Sequence, residues 1–152
     1  MAVFFLLGGL SLGCATALSL SEKALEKATV CAPAYDVTYE VLWKAAITAV
    51  QEIGYAPLDS YRENMFIKTD LRIEKEDVMA HTKEASMIYI FFEKAKNTIR
   101  ESYILKICAP RYKSPIKEEN WHYLQSDGAL QQRIQAQFQK VLEQFYRQGF
   151  KG

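Results

Sequence analysis

The sequence is poor in the residues that most often announce a chemistry. Its 152 residues include 7 glycines, 4 prolines, 3 cysteines and 2 histidines. No glycine loop is arranged to cradle a phosphate, no nucleophile elbow is present, and no histidines have zinc-protease spacing. The cysteines form no CxxC pair and His81 and His122 stand apart from them, so no metal-ligand spacing emerges and no cofactor is expected. An excess of either charge is also missing: 19 basic and 18 acidic residues leave a net charge of +1. A dedicated nucleic-acid binder shows a basic excess, so nucleic acid is not an expected partner. No internal repeat at a solenoid period is present. Most unevenly, charge is absent from residues 1–21, and the first charged side chain is Glu22.

That uncharged stretch reads MAVFFLLGGLSLGCATALSLS. Ala2 to Leu7 is wholly apolar, and Gly8, Gly9, Ser11, Gly13 and Ala15 follow as small residues. This is the pattern of a secretory signal, whose small residues let a peptidase admit extended backbone. Leu10-Ser11-Leu12-Gly13-Cys14 resembles the lipobox of bacterial lipoproteins. The resemblance implies that residues 1–13 are removed and that Cys14 becomes an acylated N-terminus held in the membrane by its acyl chains. In lipoproteins an Asp after the cysteine favours inner-membrane retention; Ala15 therefore points to the outer membrane, inner leaflet, facing the periplasm. More than one chain is needed there, because a single acyl chain anchors only marginally. Other readings stay open: a plain cleaved signal, a buried core helix, or an uncleaved anchor over Ala2 to Leu20, since roughly 20 residues span a bilayer.

With Cys14 assigned to lipid, Cys31 and Cys108 remain as an even pair in an oxidising compartment. A disulfide between them would close a long loop, worth about 4 kcal/mol in the chain-entropy model. The alternative is two separate buried thiols acting as small hydrophobes.

The rest of the chain divides into a lipidated tether over 14–34, in which Pro33 ends any short helix, and a globular domain over 35–152. Leu42, Ala46, Ala49 and Ile53 recur on one face from Tyr39 onward, which predicts an amphipathic helix capped by Thr38 and stopped by Gly54. Tyr55 to Tyr61 and Met65 to Leu71 read as short strands around a turn at Arg62-Glu63-Asn64. Arg72 to Glu84 is polar and mixed in charge, the expected mobile loop. Met87 to Phe92 and Ile99 to Ala109 read as a strand hairpin turned by Ala95-Lys96-Asn97-Thr98. Pro110 and Pro115 bracket an expected loop. Leu130, Ile134, Phe138, Val141 and Phe145 then predict a final helix starting at Ser126 or Asp127 and closed by Gly149. The fold class expected is α+β: a two-layer sandwich in which a four-stranded antiparallel meander is packed by two helices. Its other face would carry aromatics such as Tyr89 or Tyr103 and, if uncovered, would bind a partner.

Tyr35-Asp36-Val37, Trp43-Lys44-Ala45, Gly54-Tyr55, Asp59 and Ile67-Lys68-Thr69 resemble a pattern of small bacterial envelope lipoproteins. Over about residues 35–71 the chain is similar to the domains of the BamC family of outer-membrane assembly lipoproteins. Asn64 occupies the turn where that family has Gly, and Asn tolerates positive φ. The resemblance implies a helix-grip type of fold and a role in envelope assembly or scaffolding, with another envelope protein as partner and no catalytic residues.

Few residues invite a chemical role. Arg111, Lys113 and Lys117 form a modest basic patch suited to a lipid headgroup or an acidic partner, with ordinary solvated charge as the alternative. Glu118, Glu119, Trp121 and His122 offer a weak carboxylate–histidine cluster, and Glu74, Glu76 and Asp77 read as a solvated loop face. The function expected is a non-enzymatic interaction or scaffolding module of an outer-membrane or secretion complex. The alternative is a periplasmic carrier of a small molecule or lipid, with a cavity between sheet and helices.

Overall fold

The computed structural model describes residues 29–96 and 100–149, apart from the side chains of 29–33 and 59–61. The signal segment, Cys14 and the first part of the expected tether lie outside the described residues, as do Asn97 and Thr98 of the expected turn.

Helix α1 spans Tyr39–Glu52 and buries Leu42, Ala45, Ala46, Ala49 and Val50 along one face. Thr38 sits at its N-cap in extended backbone, but its side chain makes no capping bond. Gly54 follows with φ +89. This left-handed backbone angle calls for glycine; the nearest atom to a Cβ there, Arg72 Nη1 at 2.9 Å, is the end of a flexible side chain that can move aside. Helix α2, Gly128–Arg147, is the longer one. Asp127 caps it by accepting the Leu130 N–H on Oδ1 at 2.9 Å.

Among the described residues, nine strands form two antiparallel sheets. Strands β1 (Thr29–Tyr35), β2 (Pro57–Leu58), β3 (Phe66–Thr69), β6 (Tyr89–Lys94) and β7 (Tyr103–Cys108) make a five-stranded sheet in the order β1-β7-β6-β3-β2. Strands β4 (Arg72–Asp77), β5 (Thr82–Ser86), β8 (Pro110–Pro115) and β9 (His122–Ser126) make a four-stranded one in the order β4-β5-β8-β9. The sheets run into each other. β3 continues into β4 after Asp70-Leu71, β5 into β6 after Met87-Ile88, and β7 into β8 after Ala109. Hydrogen bonds carry across these breaks. Thr69 N–H donates to Ile88 O at 3.0 Å, Met87 N–H to Pro110 O at 3.2 Å, and Asp127 N–H to Ala109 O at 2.8 Å. Where the Ile88 N–H leaves the ladder, the buried Thr69 hydroxyl accepts it at 3.0 Å.

Both helices cover one face of the five-stranded sheet. Leu42, Ile90, Leu105, Ile134 and Phe138, each 0% exposed, fill the layer between them. Tyr35 packs its ring edge-to-face on Phe138 at 5.4 Å. On the opposite face Tyr89 and Cys108 are buried, with Phe91 stacked beside Tyr89. Tyr103 lies instead in the helix-side core.

The α+β class with two helices on an antiparallel sheet therefore stands, whereas the single four-stranded meander becomes two sheets of five and four strands. The expected mobile loop over Arg72 to Glu84 is the β4–β5 hairpin, and the expected loop between Pro110 and Pro115 is β8. β4 is open to solvent along most of its length, so its residues show no alternation to read. The two prolines sit at the ends of β8, where a missing N–H costs least. Arg62, Glu63 and Asn64 belong to a 3-10 helix over Asp59–Asn64, and the positive φ falls on Met65 rather than Asn64. The folded region also begins ahead of Tyr35, because β1 starts at Thr29 and pairs with β7. That pairing bears on the cysteines. Cys31 stands in register with Leu105, three residues along β7 from Cys108. At the rise of a strand this is about 10 Å, whereas a disulfide needs Cα atoms within about 7 Å. In this register Cys31 and Cys108 do not reach each other.

Candidate functional site

On the helix side of the four-stranded sheet, a cleft of about 360 Å³ opens between the sheet, the residue after α1's glycine stop, and the first turn of α2. Tyr55, Arg72, Glu74, Ser86, Arg111 and Arg133 line it. Sheet register explains the convergence. Arg72 pairs with Ser86 and Ser86 with Arg111, so these side chains share one face across three strands. Glu74 arrives by a β-bulge: Ile73 stands opposite Ala85 and Lys75 opposite Glu84, which leaves Glu74 as the extra residue. Bulges re-aim side chains in this manner.

The Glu74 carboxylate is the centre of a polar knot. Its Oε1 accepts from Tyr55 Oη and from Ser86 Oγ, each at 2.7 Å, while the two hydroxyls lie 2.5 Å apart. Arg72 Nε is 3.6 Å from the same oxygen. Burial would raise this carboxyl, but the two hydroxyl donors and the charges of Arg72 and Arg111 outweigh it and hold it below its ordinary 4.5. Burial, reinforced by Glu74, pushes the Tyr55 phenol up to about 12. Arg72 also donates through Nη1 to Ile53 O at 3.0 Å and Gly54 O at 3.3 Å, and its guanidinium lies over the Tyr55 ring at 5.0 Å. It thereby satisfies carbonyls at the end of α1 with a cation, the charge that end favours. Arg111 pairs with Glu84, Nη2 to Oε2 at 2.6 Å. Arg133 forms no ion pair among the described residues and extends the basic lining from α2.

The structure divides the basic patch expected from the sequence. Arg111 faces the cleft; Lys113, half-buried, stands opposite Glu84 and His122 in the sheet; Lys117 is exposed beyond the end of β8. Glu118 and Glu119 are exposed, and Trp121 lies beneath the Lys83 ammonium at 5.1 Å. Tyr55, Arg72, Ser86 and Arg133 carry no sequence signal of a site. Glu74 belonged to a run legible only as loop charge.

A second feature occupies the same sheet. Ile73, Val78, Met79, Tyr123 and Leu124 are exposed large apolar side chains, and Met79 at the β4–β5 turn is 93% exposed. Leu124 is the bulged residue of β9, since Gln125 stands opposite Arg111 and Tyr123 opposite Tyr112. Among the described residues there is no cluster of His, Cys, Asp and Glu able to hold a metal, and no helix long and apolar enough to cross a membrane. No protein-family model and no curated protein matches this chain.

Proposed function

We propose that the chain is an envelope lipoprotein, anchored through acyl chains at Cys14, whose folded region is a non-enzymatic interaction module. The observation that carries this reading is the distribution of exposed apolar surface. Among the described residues, Ile73, Val78, Met79, Tyr123 and Leu124 all belong to the four-stranded sheet and its first turn, and only Tyr146 lies elsewhere. They come from its two edge strands, β4 and β9, and from the β4–β5 turn, where Val78 and Met79 are the most exposed, and such exposed apolar groups suit a docking surface. The partner fitted to it is another envelope protein presenting an apolar segment flanked by basic residues. Glu76 and Asp77 precede Val78 and Met79, and Glu118 and Glu119 lie in the neighbouring turn, tied to it by the Ile116 N–H bond to His81 O at 3.0 Å.

The long helix α2 laid on an antiparallel sheet supports the helix-grip reading, and with it the resemblance to BamC-type domains. The carrier alternative requires a cavity between sheet and helices. That layer is filled by Leu42, Ile90, Leu105, Ile134 and Phe138, which favours the interaction module.

Photo-crosslinking from position 79 in intact cells tests the proposal. A single heavier adduct containing one other envelope protein, lost when Val78→Asp is added beside the crosslinking residue, is the expected result. An adduct of two copies of this chain, lipid adducts alone, or no adduct would overturn it. For the anchor, mass spectrometry of the membrane-extracted chain should find residues 1–13 absent and Cys14 acylated; Met1 retained with unmodified Cys14 would refute it.

A further inference from the structure

The cleft beside α2 does not take part in the docking surface, and its donor and acceptor inventory points elsewhere. Three guanidinium groups meet there from three elements, Arg72 of β4, Arg111 of β8 and Arg133 of α2. Each carries five N–H donors and no acceptor. The lining also holds two carboxylates, each hydrogen-bonded through one oxygen: Glu74 accepts from Tyr55 and Ser86, and Asp127 accepts the Leu130 N–H. Arg72 is fixed by two carbonyls and the Tyr55 ring, and Arg111 by Glu84. These contacts hold the forks in place without exhausting them. Arg133 has no ion pair among the described residues. Three guanidinium groups against two carboxylates leave the lining with a positive excess and with unspent N–H donors, and an oxyanion with several acceptor atoms is its complement.

We infer that this cleft binds a phosphate group, with Arg133 and Arg111 as the principal contacts and Arg72 completing the basic wall. A volume of about 360 Å³ leaves room for a small organic group attached to the phosphate. The phosphate can come from a soluble phosphomonoester or from a phospholipid headgroup, and three probes separate these sources.

The full-length chain, held in a neutral detergent, is titrated with inorganic phosphate, glycerol 3-phosphate and the diester glycerophosphoglycerol, with sodium chloride at matched ionic strength as reference. Saturable amide shifts at Ser86 and Ala129 are expected, and Arg133→Gln should weaken binding at least tenfold while the circular dichroism spectrum stays unchanged. Arg133→Lys keeps the charge but loses the fork, and should recover part of the affinity. Preference for the two monoanion-dianion probes over the diester identifies a soluble phosphate; equal or tighter binding of the diester identifies a headgroup. Shifts reproduced by sodium chloride, absence of saturation with all three probes, or binding unaffected by both Arg133→Gln and Arg111→Gln would overturn the site.

Discussion

The two sheets share three strand lines yet are held together by different means. The five-stranded sheet is roofed by α1 and α2, and its stability comes from fully buried aliphatic and aromatic side chains, each worth roughly 1.5–3 kcal/mol. Among the described residues, no helix roofs the four-stranded sheet in this way. It is fastened by the Glu74 knot, the Arg111–Glu84 pair and the Tyr112–Tyr123 ring contact at 6.2 Å, and it leaves apolar groups in water. Partly exposed ion pairs contribute about 0–1 kcal/mol. One half of the bent sheet thus supplies stability, while the other spends its surface on a cleft and a docking face. Regions that bind are commonly drawn from the less stable part of a fold.

The comparison is most severely tested in the filled layer. Phe138→Ala, at a residue with no exposed surface, should cost about 3–5 kcal/mol in denaturant unfolding. A loss below about 1 kcal/mol would show that the helix layer is not what holds the molecule. Next comes the seam. Thr69→Val keeps the shape but leaves the Ile88 N–H without its hydroxyl acceptor, and should cost about 1–3 kcal/mol. Hydrogen exchange should then quicken first in β4 and β5; uniform quickening would mean that the two sheets unfold as one.

Within the four-stranded sheet, Glu74→Gln removes the charge that Tyr55, Ser86 and Arg72 share, at a cost of about 1 kcal/mol at neutral pH. Because the folded-state value of Glu74 is lowered, its stabilisation is complete above the unfolded value and is lost as pH falls through the folded one. The native chain should therefore lose part of its stability below the ordinary value of 4.5, by a term that Glu74→Gln lacks. Identical acid profiles would remove the knot from the account. The smallest effect belongs to the docking face: Met79→Ser should change stability by less than about 0.5 kcal/mol. Non-reducing peptide mapping should find no peptide that joins Cys31 to Cys108, in keeping with the backbone register of β1 and β7.

Legibility followed the same division. α1 and α2 were plain because Leu42, Ala46 and Ala49, or Ile134, Phe138 and Val141, repeat at helical spacing against one continuous core. The β6–β7 hairpin was plain because Tyr103, Leu105 and Ile107 alternate toward that core. β4 had no face to bury and so left no alternation, and β8 was disguised by a proline at each end. At the cleft, Arg111 stood out as a charge, but grouped with Lys113 and Lys117 rather than with Arg72 and Arg133. A bulge at Glu74 leaves no mark in a run such as Ile73-Glu74-Lys75-Glu76-Asp77, because it depends on which residue of β5 each of these meets.

By itself the sequence determined what is local: the uncharged opening stretch, the two helices with their buried faces, the stop at Gly54 and a start of the last helix at Ser126 or Asp127. Each rests on periodicity or on a backbone preference that acts within a few residues. Only the tertiary structure decided that one meander should become two sheets, that Cys31 should lie opposite Leu105, and that Tyr55, Glu74, Ser86 and Arg133 should meet. Those outcomes depend on the register between strands distant in the chain, and register is fixed by the burial of a whole layer rather than by any short run of residues.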